Sequence, residues 1–297
     1  MVHVQLSTPM YGGQCTGVFV QSLLDLQGLF ARHGITLSCA FMFNESLITR
    51  ARNNLVHQFL ETEATHLLFI DADMKFRAAD ILHMLHCDKD IMVAICPKKE
   101  INWGTVKDAA LRGEQDLSRF TGSFVVNLLG GTPAVSVPIN QPFPVAAGGT
   151  GIMLVKRQVF EKMKKKTPKF RNDMSHMKAG QEVYQFFTES IDPESKRLLS
   201  EDYHFCHQWR KMGGVVHAAP WCKIGHFGSY TFEGQLMQTD EPSVPLTLDK
   251  KGLPKPIKAG KPVKINKPTK ATNATRSRTT GTGRQSTALV RNKRKGT

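Results

Sequence analysis

The chain is expected to fold as an α/β protein built on a Rossmann-like sheet, mixed but mostly parallel, with helices on both faces. This domain spans residues 1–240, and a disordered basic segment follows over 241–297. Three observations point there. Short apolar runs alternate with stretches of helical spacing through the first third of the chain. The run 65–70 (THLLFI) is apolar on both faces, as a strand covered from two sides requires. Charge is also divided unevenly along the chain.

Residues 2–6 favour a short strand, closed by Ser7-Thr8-Pro9 and by Gly12 and Gly13. Phe19, Leu23, Leu26 and Phe30 then recur at helical steps, a stripe that Gly34 ends. Residues 35–43 read as a strand, 46–62 as a helix with Ser46 at its N-cap, and 65–70 as the buried strand. A helix carrying Ile81, Leu82 and Leu85 over 78–86 and a buried strand at 91–95 follow. Between 102 and 144 the periodicity is lost among Gly, Pro and Asn, with β-like pieces only at 123–128 and 134–137. Order returns at Gly148-Gly149-Thr150-Gly151, with a strand at 152–155 and a helix at 159–166, whereas 170–190 is ambiguous. Residues 200–212 form a helix with Ser200 at the N-cap, Glu201 and Asp202 in the first turn and Gly213-Gly214 at the stop. A last strand covers 215–219, and no internal repeat is visible.

Of the 40 Lys and Arg, fifteen fall in 250–297, which holds no Asp or Glu; residues 1–249 therefore balance 25 basic against 25 acidic side chains. The net charge of +15 belongs to the tail and says nothing about the folded body. Few apolar residues and a single charge sign predict disorder there, and such a chain binds polyanions by counterion release. Nucleic acid is the expected partner, with a plain solubility tail as the alternative; without an aromatic residue the tail does not stack on bases. Residues 1–7 lack a basic segment followed by an apolar stretch, and no apolar run is long enough to cross a membrane. Six cysteines lie scattered without a C-x-x-C pair. A cytoplasmic protein with reduced thiols and no membrane partner is expected.

The sharpest chemical signal is Asp71-Ala72-Asp73, directly after the apolar run 65–70. Ligands of open α/β sheets bind beyond the carboxyl ends of strands, and alternate residues of an extended chain share a face. Asp71 and Asp73 are thus expected to converge on one Mg²⁺ or Mn²⁺, which would neutralise a diphosphate. An isolated D-x-D is otherwise a solvated turn.

Arg52-Asn53-Asn54, the run from Thr65 through Asp71-Ala72-Asp73-Met74, the segment 88–93 and Pro97 together resemble nucleotide-sugar glycosyltransferases of the GT-A fold. The likeness is to family 2-like enzymes common in bacteriophages and large viruses, where the compartment would be the host cytoplasm. The resemblance implies that Asp71 and Asp73 hold a divalent metal on the diphosphate of a sugar nucleotide. It implies that Asp202, with Glu201 beside it, acts as catalytic base on an acceptor hydroxyl. His226, between Gly225 and Phe227-Gly228, would complete the metal shell. Gly149 and Gly151 would face the acceptor, where an ordinary turn is the alternative.

Thr8, Pro9 and Tyr11 follow the first strand, where the family binds its nucleoside, and Tyr11 would stack on the base. Arg50 and Arg52 would reach a phosphate or the base, or else form salt bridges along their helix. The other ten histidines, His204 and His207 included, are expected to be surface or packing residues. The acceptor that joins sugar transfer to a polycation is DNA carrying a modified base, extruded from its stack to react. Two further readings stand beside this one. A nucleotidyltransferase would need a basic glycine-rich loop that 8–15 lacks, and a non-enzymatic nucleic-acid-binding protein would use the body as a scaffold only.

Overall fold

The computed structural model describes residues 1–131, 140–172 and 180–229. The expected tail, the β-like piece at 134–137 and part of the ambiguous stretch 170–190 lie outside the described residues.

The first elements are β1 (His3–Met10), α1 (Gly17–Arg32), β2 (Thr36–Phe43), α2 (Ile48–Leu60) and β3 (His66–Ile70). Next come β4 (Met74–Lys75), α3 (Ala78–His86), β5 (Ile91–Ala94), β6 (Cys96–Pro97) and α4 (Trp103–Leu111). They are followed by β7 (Phe124–Leu128), β8 (Phe143–Gly148), β9 (Ile152–Lys156) and α5 (Arg157–Met163). The last elements are β10 (Lys169–Arg171), β11 (Glu182–Tyr184), β12 (Ser190–Ile191), β13 (Leu198–Leu199), α6 (Glu201–Lys211), β14 (Val216–Ala219) and β15 (Gly225–His226).

Nine strands form one mixed sheet in the order β2-β1-β3-β9-β5-β14-β8-β7-β6. The α/β class is as expected, but the sheet is not mostly parallel. Only β1 with β2, β1 with β3, and β5 with β14 run parallel; the other pairings are antiparallel. The cause is β9, which inserts antiparallel between β3 and β5, opposing Leu68 to Leu154 and Met92 to Leu154. Strands that follow each other through helices would otherwise be parallel neighbours.

Side-chain alternation sorts the strands onto two faces. Leu67 and Phe69 of β3 and Ile91 and Val93 of β5 pack with α2, α5 and α6. Leu68 and Ile70, with Met92 and Ala94, pack with Phe19, Leu26 and Phe30 of α1 and with α3. Helices therefore cover both faces, and each fully buried Phe or Leu contributes about 1.5–3 kcal/mol of burial.

Two helix starts differ from expectation. Helix α2 begins at Ile48, and the Glu45 carboxylate, not Ser46, accepts the Leu47 N–H at 2.9 Å. Ser200 occupies the N-cap of α6 but spends its hydroxyl on the Asp202 carboxylate, which itself accepts the Tyr203 N–H at 2.8 Å. Helix α4 and β8 arise in the stretch without periodicity: α4 buries only Ala109, and β8 contains Pro144. Neither leaves a strong stripe in the sequence.

Candidate active site

Beyond the carboxyl ends of β1, β3 and β5 the surface opens into a cavity of about 790 Å³. Pro9 and Tyr11 line it from the end of β1, Arg52 from α2, Asp71 and Asp73 from the end of β3, and Lys98 and Lys99 from beyond β6; Val125 and His226 also contribute. Strand β1 runs on through Thr8 and Pro9, because pairing with β3 stops at Ser7 and leaves the Pro9 side without a ladder to break. Thr8 is consequently buried within the strand and does not line the cavity, whereas Tyr11 stands 74% exposed at its rim.

The segment after β3 is a turn and not an extended strand. The Met74 N–H donates to the Asp71 carbonyl at 3.1 Å, and the Asp71 N–H donates to the Gly151 carbonyl at 3.0 Å. Asp71 and Asp73 thus reach the same cavity through a turn, not through the alternation of an extended strand. Asp71 Oδ1 takes the Arg52 Nη2 at 3.1 Å, and Asp73 pairs with Lys99. The turn is tied to the first loop, since the Thr16 N–H donates to the Ala72 carbonyl at 2.9 Å. Among the described residues no three His, Cys, Asp or Glu side chains form a ready-made metal centre.

His226 is nevertheless brought to Asp73. Strand β15 pairs antiparallel with β4, setting His226 opposite Met74, and the Phe227 N–H donates to the Asp73 carbonyl at 2.9 Å. His226 Nδ1 lies 2.8 Å from the Pro97 carbonyl, which can only accept, so that nitrogen carries the proton. His226 Nε2 then faces Asp73 Oδ1, 3.4 Å away, and that oxygen is buried without a hydrogen-bond partner. Two facing acceptors need positive charge between them, from a second proton or a cation. A carbonyl on the far nitrogen is the usual orienting partner of a metal-bound histidine. The donor set fits a divalent ion.

Arg52 ties this cavity to the other half of the sheet. It is 4% exposed, lies over the Phe69 ring at 5.4 Å, and bridges Asp71 to Glu201, whose Oε1 is 3.2 Å from its Nε. Burial alone would lower its pKa, yet the adjoining Asp71 and Glu201 outweigh that and hold it above its ordinary value. Burial pushes Glu201 up, and neighbouring Asp202 adds to the shift against the pull of Arg52. Asp202 begins the α6 helix beside Gly149: a Cβ on Gly149 would sit 3.4 Å from Asp202 Oδ2 and 3.0 Å from Val125, which lines the cavity. Oδ1 is committed to Ser200 and the Tyr203 N–H, whereas Oδ2 has no hydrogen-bond partner among the described residues.

The other expected residues divide. Gly149 does adjoin the carboxylate, whereas a Cβ on Gly151 would meet Met74 at 2.6 Å, so that glycine serves close packing under the Asp71 turn. Arg50 makes a salt bridge to Glu45, in the loop ahead of its helix, at 2.8 Å and does not line the cavity. His204 pairs with Ser190 at 2.7 Å, as a packing histidine does. The sequence reading missed Lys98 and Lys99, and with them Glu45. The signal was a Lys-Lys pair just past the buried strand 91–95, at the same end of the sheet as the carboxylates.

No protein-family model matches the chain, and no curated protein matches it by sequence. Among solved structures it is similar to A197 from STIV, at 14% identity and a TM-score of 0.42 over 77% of this chain and 87% of that one. It is also similar to GalNAc-T7, crystallised with UDP, GalNAc and Mn²⁺, at 10% identity and a TM-score of 0.37 over 76% of this chain and 44% of that one. S. aureus TarS (residues 1–349), crystallised with UDP-GlcNAc, shows 10% identity and a TM-score of 0.35 over 82% of this chain and 62% of that one. These likenesses are distant, and the site's own residues have to carry the functional reading.

Proposed function

We propose that this protein is a metal-dependent glycosyltransferase that moves a sugar from a nucleotide-sugar donor to an acceptor hydroxyl. The observation that carries the reading is the orphaned Asp73 Oδ1 facing His226 Nε2 across 3.4 Å, in a cavity that also holds Asp71 and two lysines. Asp71, Asp73 and His226 would hold Mn²⁺ or Mg²⁺, which when bound supplies counter-charge to the departing diphosphate. Lys98 and Lys99 add further positive charge on the same side. Lys99, which pairs with Asp73, would be within reach of a phosphate oxygen beside that carboxylate. Tyr11, at the rim with Pro9, stacks on the nucleoside base.

On the acceptor side, Asp202 Oδ2 takes the proton from the attacking hydroxyl. The acceptor oxygen bonds to the anomeric carbon while that carbon's bond to the β-phosphate oxygen breaks. The nucleoside diphosphate leaves with the bonding pair. Arg52 keeps Asp71 and Glu201 in register across the two halves of the site. Gly149, having no Cβ, lets Val125 and the Asp202 carboxylate close onto its backbone beside the acceptor. The basic segment 250–297 concentrates the enzyme on a polyanion, of which nucleic acid is the leading instance.

A thermal-shift series with UDP-, GDP-, CMP- and TDP-sugars, each with and without Mn²⁺, tests the reading, since binding to the native state raises apparent stability. A rise with one nucleotide that requires Mn²⁺ and vanishes in Asp73→Asn is the expected result. No rise with any donor would remove the basis for sugar transfer.

A further inference from the structure

A second cleft, of about 430 Å³, opens between α6, the β7–β8 edge and the β12–β13 hairpin. Tyr203, His207 and Arg210 line it from α6 at helical spacing, so they share one face, beside the one that buries Phe205, Cys206 and Trp209. Arg197 closes it from the hairpin and Asn127 from β7. Neither Arg197 nor Arg210 has a carboxylate partner among the described residues, and His207 Nε2 is buried without a hydrogen bond. The one acid in the lining, Asp192, is committed to its own turn, accepting the Glu194 N–H at 2.9 Å and the Ser195 N–H at 3.4 Å. Two guanidinium groups thus share one space with a single carboxylate, that of Asp192, which interacts with His207, so the lining keeps an excess of positive charge. The cleft starts at Tyr203, next to Asp202, and Arg210 lies eight residues along α6 from that carboxylate, about 12 Å at the rise of a helix.

We propose that this cleft is the subsite for an anionic group of the acceptor, a phosphate diester or a carboxylate, which Arg197 and Arg210 grip beside the His207 ring. The assignment rests on Asp202 as the acceptor-side base, and it implies an acceptor whose charge lies about one monomer unit from the hydroxyl that reacts. Guanidinium forks suit both oxyanions.

Histidine ring resonances of the full-length protein test it by NMR, because residues 230–297 contain no histidine and the basic tail is therefore silent. Dimethyl phosphate and, separately, acetate are titrated without donor or metal, with the His207 signal assigned from His207→Gln. A saturable shift of His207 with a half-point of about 1–10 mM is expected. The half-point should rise about tenfold or more in Arg197→Gln/Arg210→Gln. The ten other histidine signals report that the double variant is folded.

Movement with dimethyl phosphate alone identifies a phosphodiester acceptor, movement with acetate alone a carboxylate-bearing one, and movement with both an anion subsite that accepts either. A His207 signal that stays still, or that moves equally in the double variant, overturns the proposal. Because no sugar nucleotide is present, the titration remains readable even if the glycosyltransferase reading fails. A silent His207 in an enzyme that uses its donor removes this subsite alone.

Discussion

The two halves of the sheet place their site residues by different means. Around β1, β2 and β3 the strands are parallel, each is followed by a short loop, and the cavity residues sit within a few positions of a strand end. Around β14, β8 and β7 the strands are antiparallel, and Asp202 owes its position to close packing: Gly148 on Val93, Gly149 on Val125 and the carboxylate itself. The first half presents chemistry where a strand stops. The second presents it where two backbones approach too closely for a side chain. Most residues of the proposed donor side thus follow from local motifs, and those of the proposed acceptor side depend on contacts far apart in sequence.

The largest effect should come from Asp73→Asn, which keeps the shape and removes the charge facing His226. Donor turnover should fall about 100-fold to 10⁴-fold, as expected when a metal's several kcal/mol are lost, with an unchanged circular dichroism spectrum. A variant with full activity would break the metal reading. Asp202→Asn should lower transfer to acceptor by about 10²–10⁴-fold while leaving Mn²⁺-dependent donor binding intact in the same thermal-shift series. Loss of donor binding there would show that the two halves do not divide the work as described.

Arg52→Met tests the bridge between them. It strands Asp71 and Glu201, and should cost about 2–3 kcal/mol in urea unfolding; a fully buried pair would cost more, but Asp71 keeps 32% of its side chain in water. Gly148→Ala sets a Cβ 2.5 Å from Val93 Cγ2 and should cost about 1–3 kcal/mol, read as a lower melting temperature.

The smallest effect is on acid stability. His66 on β3 and His217 on β14 are both lowered from 6.5, by burial first and then by Lys156 and Lys89 respectively. Native structure holds them neutral while the unfolded chain takes up protons, so their stabilisation is full above pH 6.5 and is lost as pH falls through their native values. Urea midpoints measured from pH 7.5 down to 5 should decline, and His66→Gln should flatten the decline. A midpoint that rises on acidification would reverse the sign.

Much of this was legible in the chain alone. The run 65–70 announces a buried strand because it is apolar on both faces, and the D-x-D directly after it falls at the end of the sheet where the cavity opens, whatever the sheet's order. Helices α1 and α3 followed from their apolar stripes, and the acidic start of α6 from helix electrostatics. The long-range choices were decided by tertiary structure alone. Nothing within 152–156 states that β9 runs antiparallel between β3 and β5, because an apolar strand with two buried faces reads alike in either direction. The turn that separates Asp71 from Asp73, the Pro97 carbonyl that fixes the His226 tautomer, and the bridge of Arg52 to Glu201 each join residues whose partners the sequence leaves unspecified. Hydrophobic pattern is a property of neighbours along the chain, whereas the coordination of charge is a property of the space into which the chain folds.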